Sequence, residues 1–138
     1  MYESLRRHIK NFTLFIYTFD EATYDLLASL DLKSVVLIPL CDFENSRLLE
    51  AKKDRTLGEY CWTCTPSVIK HAIETFELDH CTYIDADLYF FSNPSILVDE
   101  LIDKSILITE HRYTPKHDQT KTSGIYCVQF VTFKGDEF

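Results

Sequence analysis

Two carboxylates interrupt an apolar stretch of the chain. Asp85 and Asp87 lie in "TYIDADLYFFSNP", residues 82–94, with bulky apolar side chains before and after them. In an extended strand, residues two apart point to the same side of the sheet, so both carboxylates would face one spot. Carboxylate oxygens suit Mg²⁺ or Mn²⁺, which keeps several waters and takes substrate phosphates as its remaining ligands. The segment therefore predicts a divalent cation site at Asp85 and Asp87.

The Asp-x-Asp pattern alone is weak evidence for a cation site. With twelve aspartates among 138 residues, about one such triplet is expected by chance. The context is more informative, because "LYFF" returns at once to bulky apolar residues and the pair therefore does not lie in a polar loop. The alternative is that the strand ends at Ile84, with Asp85 capping a turn and Asp87 in solvent.

The elements around this pair predict the fold class. Apolar runs that read as strands cover residues 12–19, 34–40, 80–91, 105–109 and 124–133. Helical patterns cover residues 21–30, 43–55, 56–78 and a short segment after Asn93. Such alternation predicts an α/β domain whose mainly parallel sheet has helices on both faces. Ligands of these sheets bind at the carboxyl ends of the strands, here residues 17–20, 41–43 and 85–87.

Composition excludes several classes of function. A net charge of −8 without a long basic run argues against a nucleic-acid partner. Only three glycines occur, too few for a P-loop or a dinucleotide fingerprint. The start, "MYESLRRHIK", does not read as a secretory signal, and no apolar run is long enough to span a membrane. With an odd number of cysteines, five, we expect reduced thiols and a cytoplasmic location, with peripheral membrane association left open.

The segment "YIDADLYFFSNP" resembles the metal-binding strand end of GT-A-type, nucleotide-sugar-dependent glycosyltransferases, most like the family 8 branch. The order of the other elements is similar, from "FTLFIY" near the start to "GIYCVQFVTF" near the end. The resemblance implies a Rossmann-like GT-A fold in a single domain over residues 1–138. It also implies an enzyme that transfers a sugar from a nucleoside-diphosphate sugar, by family preference a UDP-sugar, to a carbohydrate or other hydroxyl acceptor.

The same resemblance implies roles for individual residues. Asp85 would lie toward the ribose and the donor sugar and share the metal, and Asp87 would ligate the metal that bridges the diphosphate. Thr18 and Asp20, after the first strand, match the residues that hold the base. Asp42, after the second strand, is a similar candidate.

Two further expectations concern the rest of the site. Arg55 would meet the diphosphate, with surface ion pairing as its alternative role. The family usually has a further metal-binding histidine and much of the acceptor site beyond the point that corresponds to Phe138. The resemblance therefore implies the nucleotide-binding front part of a longer enzyme, and no catalytic base is assigned.

Several other functions are also consistent with the sequence. The chain could be a nucleotide-binding domain without turnover. It could be a phosphatase of the haloacid-dehalogenase type, which also has Asp-x-Asp after an apolar strand, although Tyr89 stands where that class has Thr or Val. "CWTC", residues 61–64, could be a redox pair or part of a zinc site, with simple packing beside Trp62 as the alternative.

Overall fold

The computed structural model describes residues 1–135, and the chain forms two compact units. The central unit is the continuous segment Asn11–Glu77. The terminal unit combines Met1–Lys10 with the residues from Leu78 onward. Each unit has its own sheet, and the single domain over residues 1–138 stays a prediction.

Helices and strands are labelled in chain order. They are α1 Tyr2–His8, β1 Leu14–Thr18, α2 Glu21–Ser29, β2 Val35–Pro39, α3 Leu40–Phe43, α4 Ser46–Lys52, α5 Leu57–Phe76, β3 His80–Ile84, α6 Ser95–Val98, β4 Ile106–Glu110, α7 Thr120–Ser123 and β5 Tyr126–Lys134. A 3₁₀ turn covers Pro115–His117. Each of the five predicted strand segments contains most or all of one of these strands.

The central unit is built on a parallel pair of strands. β1 and β2 align in register from Leu14 opposite Val35 to Thr18 opposite Pro39, so both strands end at the same edge. One face of α5 supplies much of the core, through the buried residues Tyr60, Cys64, Val68, Ile69, Ala72 and Ile73. The apolar residues of α2 and its C-cap are less well covered, since Leu26 and the C-cap Leu30 remain 62% and 54% exposed.

A capping box starts α5. The Thr56 hydroxyl accepts from the Glu59 backbone N–H, and the Glu59 carboxylate accepts from the Thr56 backbone N–H. These bonds satisfy two backbone donors that would otherwise be unpaired at the helix start. The sequence allows one kinked helix or two over residues 56–78, and the structure has one helix that continues through Pro66.

The terminal unit has a different kind of sheet. Its strand order is β3-β5-β4, and β5 pairs antiparallel with both neighbours. The prediction of a mainly parallel, Rossmann-like GT-A sheet is therefore wrong, because within residues 1–135 only the β1–β2 pair is parallel. The sheet also divides between the two units instead of running continuously through one domain.

The reason for this error lies in β4 and β5. A parallel return to the same sheet needs a crossover of a dozen or more residues, usually a helix. The segment from β4 to β5 holds only the 3₁₀ turn and the four-residue α7. In β4, Ile106, Ile108 and Glu110 are exposed and alternate with half-buried residues, as in an antiparallel sheet with one solvated face. Apolar content cannot reveal strand direction when exposed positions are also apolar.

Candidate functional site

A cleft of about 410 Å³ opens at the carboxyl ends of β1 and β2. It forms because both strands stop at the same edge, and the chain then turns into α2 on one side and α3 on the other. Its volume lies within the usual range of small-molecule sites. The residues that line it are Thr18, Phe19, Asp20, Glu21, Tyr24, Asp25, Pro39, Leu40 and Cys41.

Asp20 lines this cleft and also caps α2. Its Oδ1 accepts the Thr23 backbone N–H at 2.7 Å, and its Oδ2 accepts the Thr23 hydroxyl at 2.8 Å. These hydrogen bonds hold the pKa of Asp20 below its usual value, with the backbone bond as the largest cause. The carboxylate is therefore ionised at neutral pH and fixed in orientation at the cleft wall.

Thr18 is the second predicted residue that lies in the cleft. It is the last residue of β1 and is 2% exposed. Its hydroxyl donates to the Ile38 carbonyl of β2 at 3.5 Å, which links the ends of the two strands. The structure thus brings together Thr18 and Asp20, the two residues that the family resemblance associates with the base.

Asp42 lies beside the cleft and is not among its lining residues. It belongs to α3 and is exposed, whereas its neighbour Cys41 lines the cleft. The Cys41 thiol donates to Asp42 Oδ1 at 3.5 Å. This bond, followed by the smaller effect of desolvation, raises the pKa of the Cys41 thiol. The hydrogen bond to Asp42 therefore favours the thiol form of Cys41 over the thiolate.

The cleft combines acidic groups with aromatic rings. Asp20, Glu21 and Asp25 supply three carboxylates, and none of the lining residues is Lys, Arg or His. Phe19 and Tyr24 supply ring surfaces. Sequence reasoning missed Tyr24, although its position one helical turn after Asp20 predicts that both lie on the same face of α2. This lining suits a neutral ring with hydroxyl or N–H donors better than it suits a phosphate.

The acidic pair lies in a turn of the terminal unit. β3 ends at Ile84, after which the Asp85 N–H donates to the Gln129 carbonyl at 3.0 Å. The Asp85 carbonyl accepts the Leu88 N–H at 3.3 Å and closes a turn that contains the exposed Asp87. The expectation that the strand continues through both carboxylates is wrong, and the alternative in which it ends at Ile84 describes the backbone correctly.

Asp85 and Asp87 have different surroundings within this turn, which we call the acidic turn (residues 85–88). Asp85 is half-buried, and its Oδ1 accepts the Tyr83 hydroxyl at 2.8 Å. Within residues 1–135, no group of three or more His, Cys, Asp or Glu side chains is arranged to hold a metal ion. A Mg²⁺ or Mn²⁺ ion at Asp85 and Asp87 would therefore need water and phosphate as its other ligands, and this cation site stays a prediction.

Arg55 lies apart from the cleft lining. It is exposed in the bend between α4 and α5, and its Nη1 donates to the Thr63 hydroxyl at 2.5 Å. Its charge also contributes to the lowered pKa of Glu59, after the larger effects of the Thr56 hydrogen bonds. These contacts match the surface role that the sequence offers as an alternative, and a contact between Arg55 and a diphosphate stays a prediction.

The "CWTC" segment lies inside α5. Cys64 is fully buried, and burial raises the pKa of its thiol. Redox pairs need the opposite environment, one that lowers a thiol pKa and leaves it accessible. All five cysteines are free, and half-buried Cys61 and buried Cys64 fit the packing alternative. The phosphatase reading also loses support, because the acidic turn follows an antiparallel strand and not the first strand of a parallel sheet.

Comparisons with known proteins give relatives but no activity. No family model matches the chain. YfnD of Bacillus subtilis (strain 168) is 33% identical over 117 residues, which cover 84% of this chain and 38% of that protein. YfnF of the same organism is 31% identical over 145 residues, which cover 99% of this chain and 48% of that protein. Both are uncharacterized proteins. The chain thus spans less than half the length of either relative, and no solved structure matches it.

Within residues 1–135, no helix is both long enough and apolar enough to cross a membrane. This agrees with the prediction of no transmembrane segment, and the cytoplasmic location stays a prediction.

Proposed function

We propose that the chain binds the nucleotide-sugar donor of a metal-dependent glycosyltransferase. The reaction would move a sugar from a nucleoside-diphosphate sugar, with uridine as the expected nucleoside, to a hydroxyl group of a carbohydrate or other acceptor. The observation that best supports this proposal is the cleft at the carboxyl ends of β1 and β2, whose lining includes Thr18 and Asp20. Those two residues are the ones that the family resemblance associates with the base.

The chemistry of the cleft favours the nucleoside part of such a donor. Phe19 and Tyr24 offer ring surfaces for a planar base. The fixed carboxylate of Asp20 can accept further hydrogen bonds from N–H or hydroxyl donors, because each carboxylate oxygen has two lone pairs. The neighbouring carboxylates would repel a phosphate, so the cleft selects the uncharged half of the nucleotide.

The cation that the proposed reaction needs is assigned to the acidic turn. Asp85 and Asp87 would hold it, and Tyr83 orients the Asp85 carboxylate through a 2.8 Å hydrogen bond. When bound, the cation supplies positive charge that stabilises the departing nucleoside diphosphate. The protein contributes anionic oxygens of a type that hard divalent cations prefer.

The nucleoside assignment is tested with two substitutions at one position. Asp20→Asn keeps a good helix cap and removes the charge, whereas Asp20→Ala removes both. In calorimetric titrations with uridine and UDP, we expect both variants to bind several-fold more weakly than the wild type. Only Asp20→Ala should also lose thermal stability. Unchanged uridine affinity in Asp20→Asn, or no uridine binding by the wild-type protein, would refute this assignment.

The cation assignment needs its own titration. We expect Mn²⁺ to strengthen the binding of UDP but not of uridine, and this gain to disappear in Asp85→Asn and in Asp87→Asn. Asp103→Asn is the matched control, because Asp103 is also an exposed aspartate in a turn of the terminal unit. Equal UDP affinity with and without Mn²⁺ in the wild type would contradict the cation site.

A second candidate function is nucleotide binding without sugar transfer. The cleft favours it, because its lining supplies ring surfaces and hydrogen-bond acceptors that suit binding, and no group there is assigned to sugar transfer. The two candidates differ in one measurement. A transferase consumes a UDP-sugar in the presence of Mn²⁺ at a rate that falls in Asp87→Asn, whereas a binding domain leaves the UDP-sugar intact while still binding it.

A further inference from the structure

Two aromatic rings lie exposed directly after the acidic turn. Tyr89 and Phe91 have ring centroids 4.8 Å apart with their planes tilted by 53°. They are 56% and 85% exposed. Leaving a large ring in water forgoes the free energy that its burial would release. Such a pair is therefore expected where a ligand covers the rings in the functioning protein.

The segment that bears these rings is fixed by α1. The Phe90 backbone N–H, between the two rings, donates to the Ser4 hydroxyl at 3.0 Å, and Ser4 is 2% exposed. Arg7, one turn further along α1, donates to the Tyr89 hydroxyl at 3.4 Å. The segment lies outside any helix or strand. These hydrogen bonds with side chains of α1 therefore hold it where regular backbone pairing does not. The backbone between the rings and the Tyr89 hydroxyl are thus held before a ligand arrives, and the Phe91 ring packs on the Tyr89 ring. This order lowers the entropy cost of binding.

We propose that Tyr89 and Phe91 form a stacking platform for a neutral carbohydrate. A pyranose ring has one face of C–H groups, which packs on an aromatic ring, and an edge of hydroxyls, which needs hydrogen-bond partners. The platform supplies the ring surfaces, and the polar groups beside it are the Tyr89 hydroxyl, the Arg7 guanidinium and the Asp87 carboxylate two residues earlier.

Charge selects the kind of ligand. The acidic turn precedes the platform, and the whole chain has a net charge of −8. The charged groups beside the platform have opposite signs, the Asp87 carboxylate and the Arg7 guanidinium, so a neutral sugar meets no net repulsion there. Carboxylates also accept hydrogen bonds well from hydroxyl groups, which are the groups that a sugar offers.

The size of the apolar surface argues against a protein partner. Within this segment, the flanking exposed residues Asp87 and Ser92 are polar, and Phe90 between the rings is only partly exposed. Two rings cannot supply the roughly 800 Å² per partner of a typical stable protein interface. They do match the footprint of one or two sugar rings.

A neutral carbohydrate on the platform would be the acceptor of the proposed reaction. In that respect the platform rests on the proposed function. The binding event itself requires neither nucleotide nor metal. It can therefore be measured separately from the nucleotide assignments.

The test is saturation-transfer NMR of the full chain with a panel of neutral hexose oligosaccharides, in EDTA and without nucleotide. We expect transfer mainly to the C–H protons of a sugar ring face. Tyr89→Ala and Phe91→Ala should each weaken binding about tenfold or more, and Tyr89→Phe, which keeps the ring, should retain most of it. Tyr126→Ala is the matched control, because Tyr126 is also 56% exposed in the terminal unit and should not affect binding.

Several outcomes would overturn the platform. They are no binding of any neutral oligosaccharide by the wild type, an equal loss in Tyr126→Ala, and a dimer in sedimentation experiments that Phe91→Ala dissociates. The nucleotide titrations separate the two proposals. Uridine binding without oligosaccharide binding would refute only the carbohydrate platform. Oligosaccharide binding without uridine binding would refute the proposed donor site and support the platform.

Discussion

Tyr60 and Glu44 form a short hydrogen bond inside the central unit, with the phenol oxygen 2.6 Å from Glu44 Oε1. The same carboxylate oxygen accepts Lys52 Nζ at 2.8 Å. Tyr60 is 1% exposed. Burial, followed by the bond to Glu44, raises the pKa of the Tyr60 phenol well above its usual range, so it remains a donor. This bond connects the residue after α3 to the second turn of α5.

Tyr60→Phe tests the contribution of this bond to stability. We expect the free energy of unfolding to fall by about 1–3 kcal/mol, because the Glu44 carboxylate keeps its site and loses a donor. The Glu44 side chain is only 12% exposed, which limits compensation by water. Urea denaturation measures the change. Tyr126→Phe is the control at an exposed tyrosine, and a similar loss in both variants would argue against a specific role for the buried bond.

Glu44 also predicts a pH dependence. Burial alone would raise the pKa of Glu44, but the hydrogen bonds from Lys52 and Tyr60 together lower it below its usual value of 4.5. A carboxyl group with a lowered folded-state pKa contributes stability above the unfolded-state pKa and loses it as pH falls through the folded-state pKa. The stability advantage of the wild type over Glu44→Gln should therefore be full at neutral pH and decline below pH 4.5. An advantage that grows on acidification would contradict this sign.

The capping box of α5 predicts a difference between two threonines. Thr56→Ala should lower the free energy of unfolding by about 1 kcal/mol, and Thr56→Ser should have a much smaller effect. Thr65→Ala is the control within the same helix, where Thr65 donates a weak 3.5 Å bond to the Cys61 carbonyl. Thermal unfolding followed by circular dichroism gives both values. A larger effect at Thr65 would mean that the helix starts near Pro66 instead.

The cysteines should differ in their reaction with a thiol reagent. Exposed Cys41 should react in the native protein, whereas buried Cys64 should react only after unfolding. Asp42→Asn should speed the reaction of Cys41, because the hydrogen bond to Asp42 is the main cause of its raised thiol pKa. Titration with Ellman's reagent at constant pH, with Cys64→Ser to identify the slow thiol, measures these rates. Fast modification of Cys64 in the native protein would instead support a redox role for the cysteines of "CWTC".

The sequence predicts the positions of the strands well and their directions poorly. Apolar, β-branched and aromatic runs mark where a chain is extended and buried, which is why β1 and β2 lie within their predicted ranges. Direction depends on which strand is the neighbour, and the pairing of Ile84 with Phe130 or of Ile106 with Phe133 leaves no local mark in either run. Long-range pairing of this kind cannot be read from periodicity.

In the candidate site, too, features that depend on local sequence patterns could be predicted, and features that depend on long-range packing could not. Thr18 and Asp20 were predictable because a strand end followed by an Asp cap is a local pattern, and both line the cleft. The end of β3 was not decided by the sequence, because "LYFF" continues the apolar composition while the 3.3 Å bond between the Leu88 N–H and the Asp85 carbonyl turns the backbone. Tyr24 was missed although it lies one helical turn after Asp20, because that spacing does not show which face of α2 meets the cleft.

The middle position of β5 in its sheet has a consequence for synthesis on the ribosome. β3 and β4 do not pair with each other, so each must wait for residues 126–134 before it gains a hydrogen-bonded neighbour. The central unit is continuous in the chain, so all of its residues have been made once Glu77 is added. Domains fold as units, and N-terminal ones generally fold first as the chain emerges. We therefore expect Asn11–Glu77 to become protease-resistant on stalled nascent chains well before the terminal unit, whose first helix is made earliest and acquires its partners last.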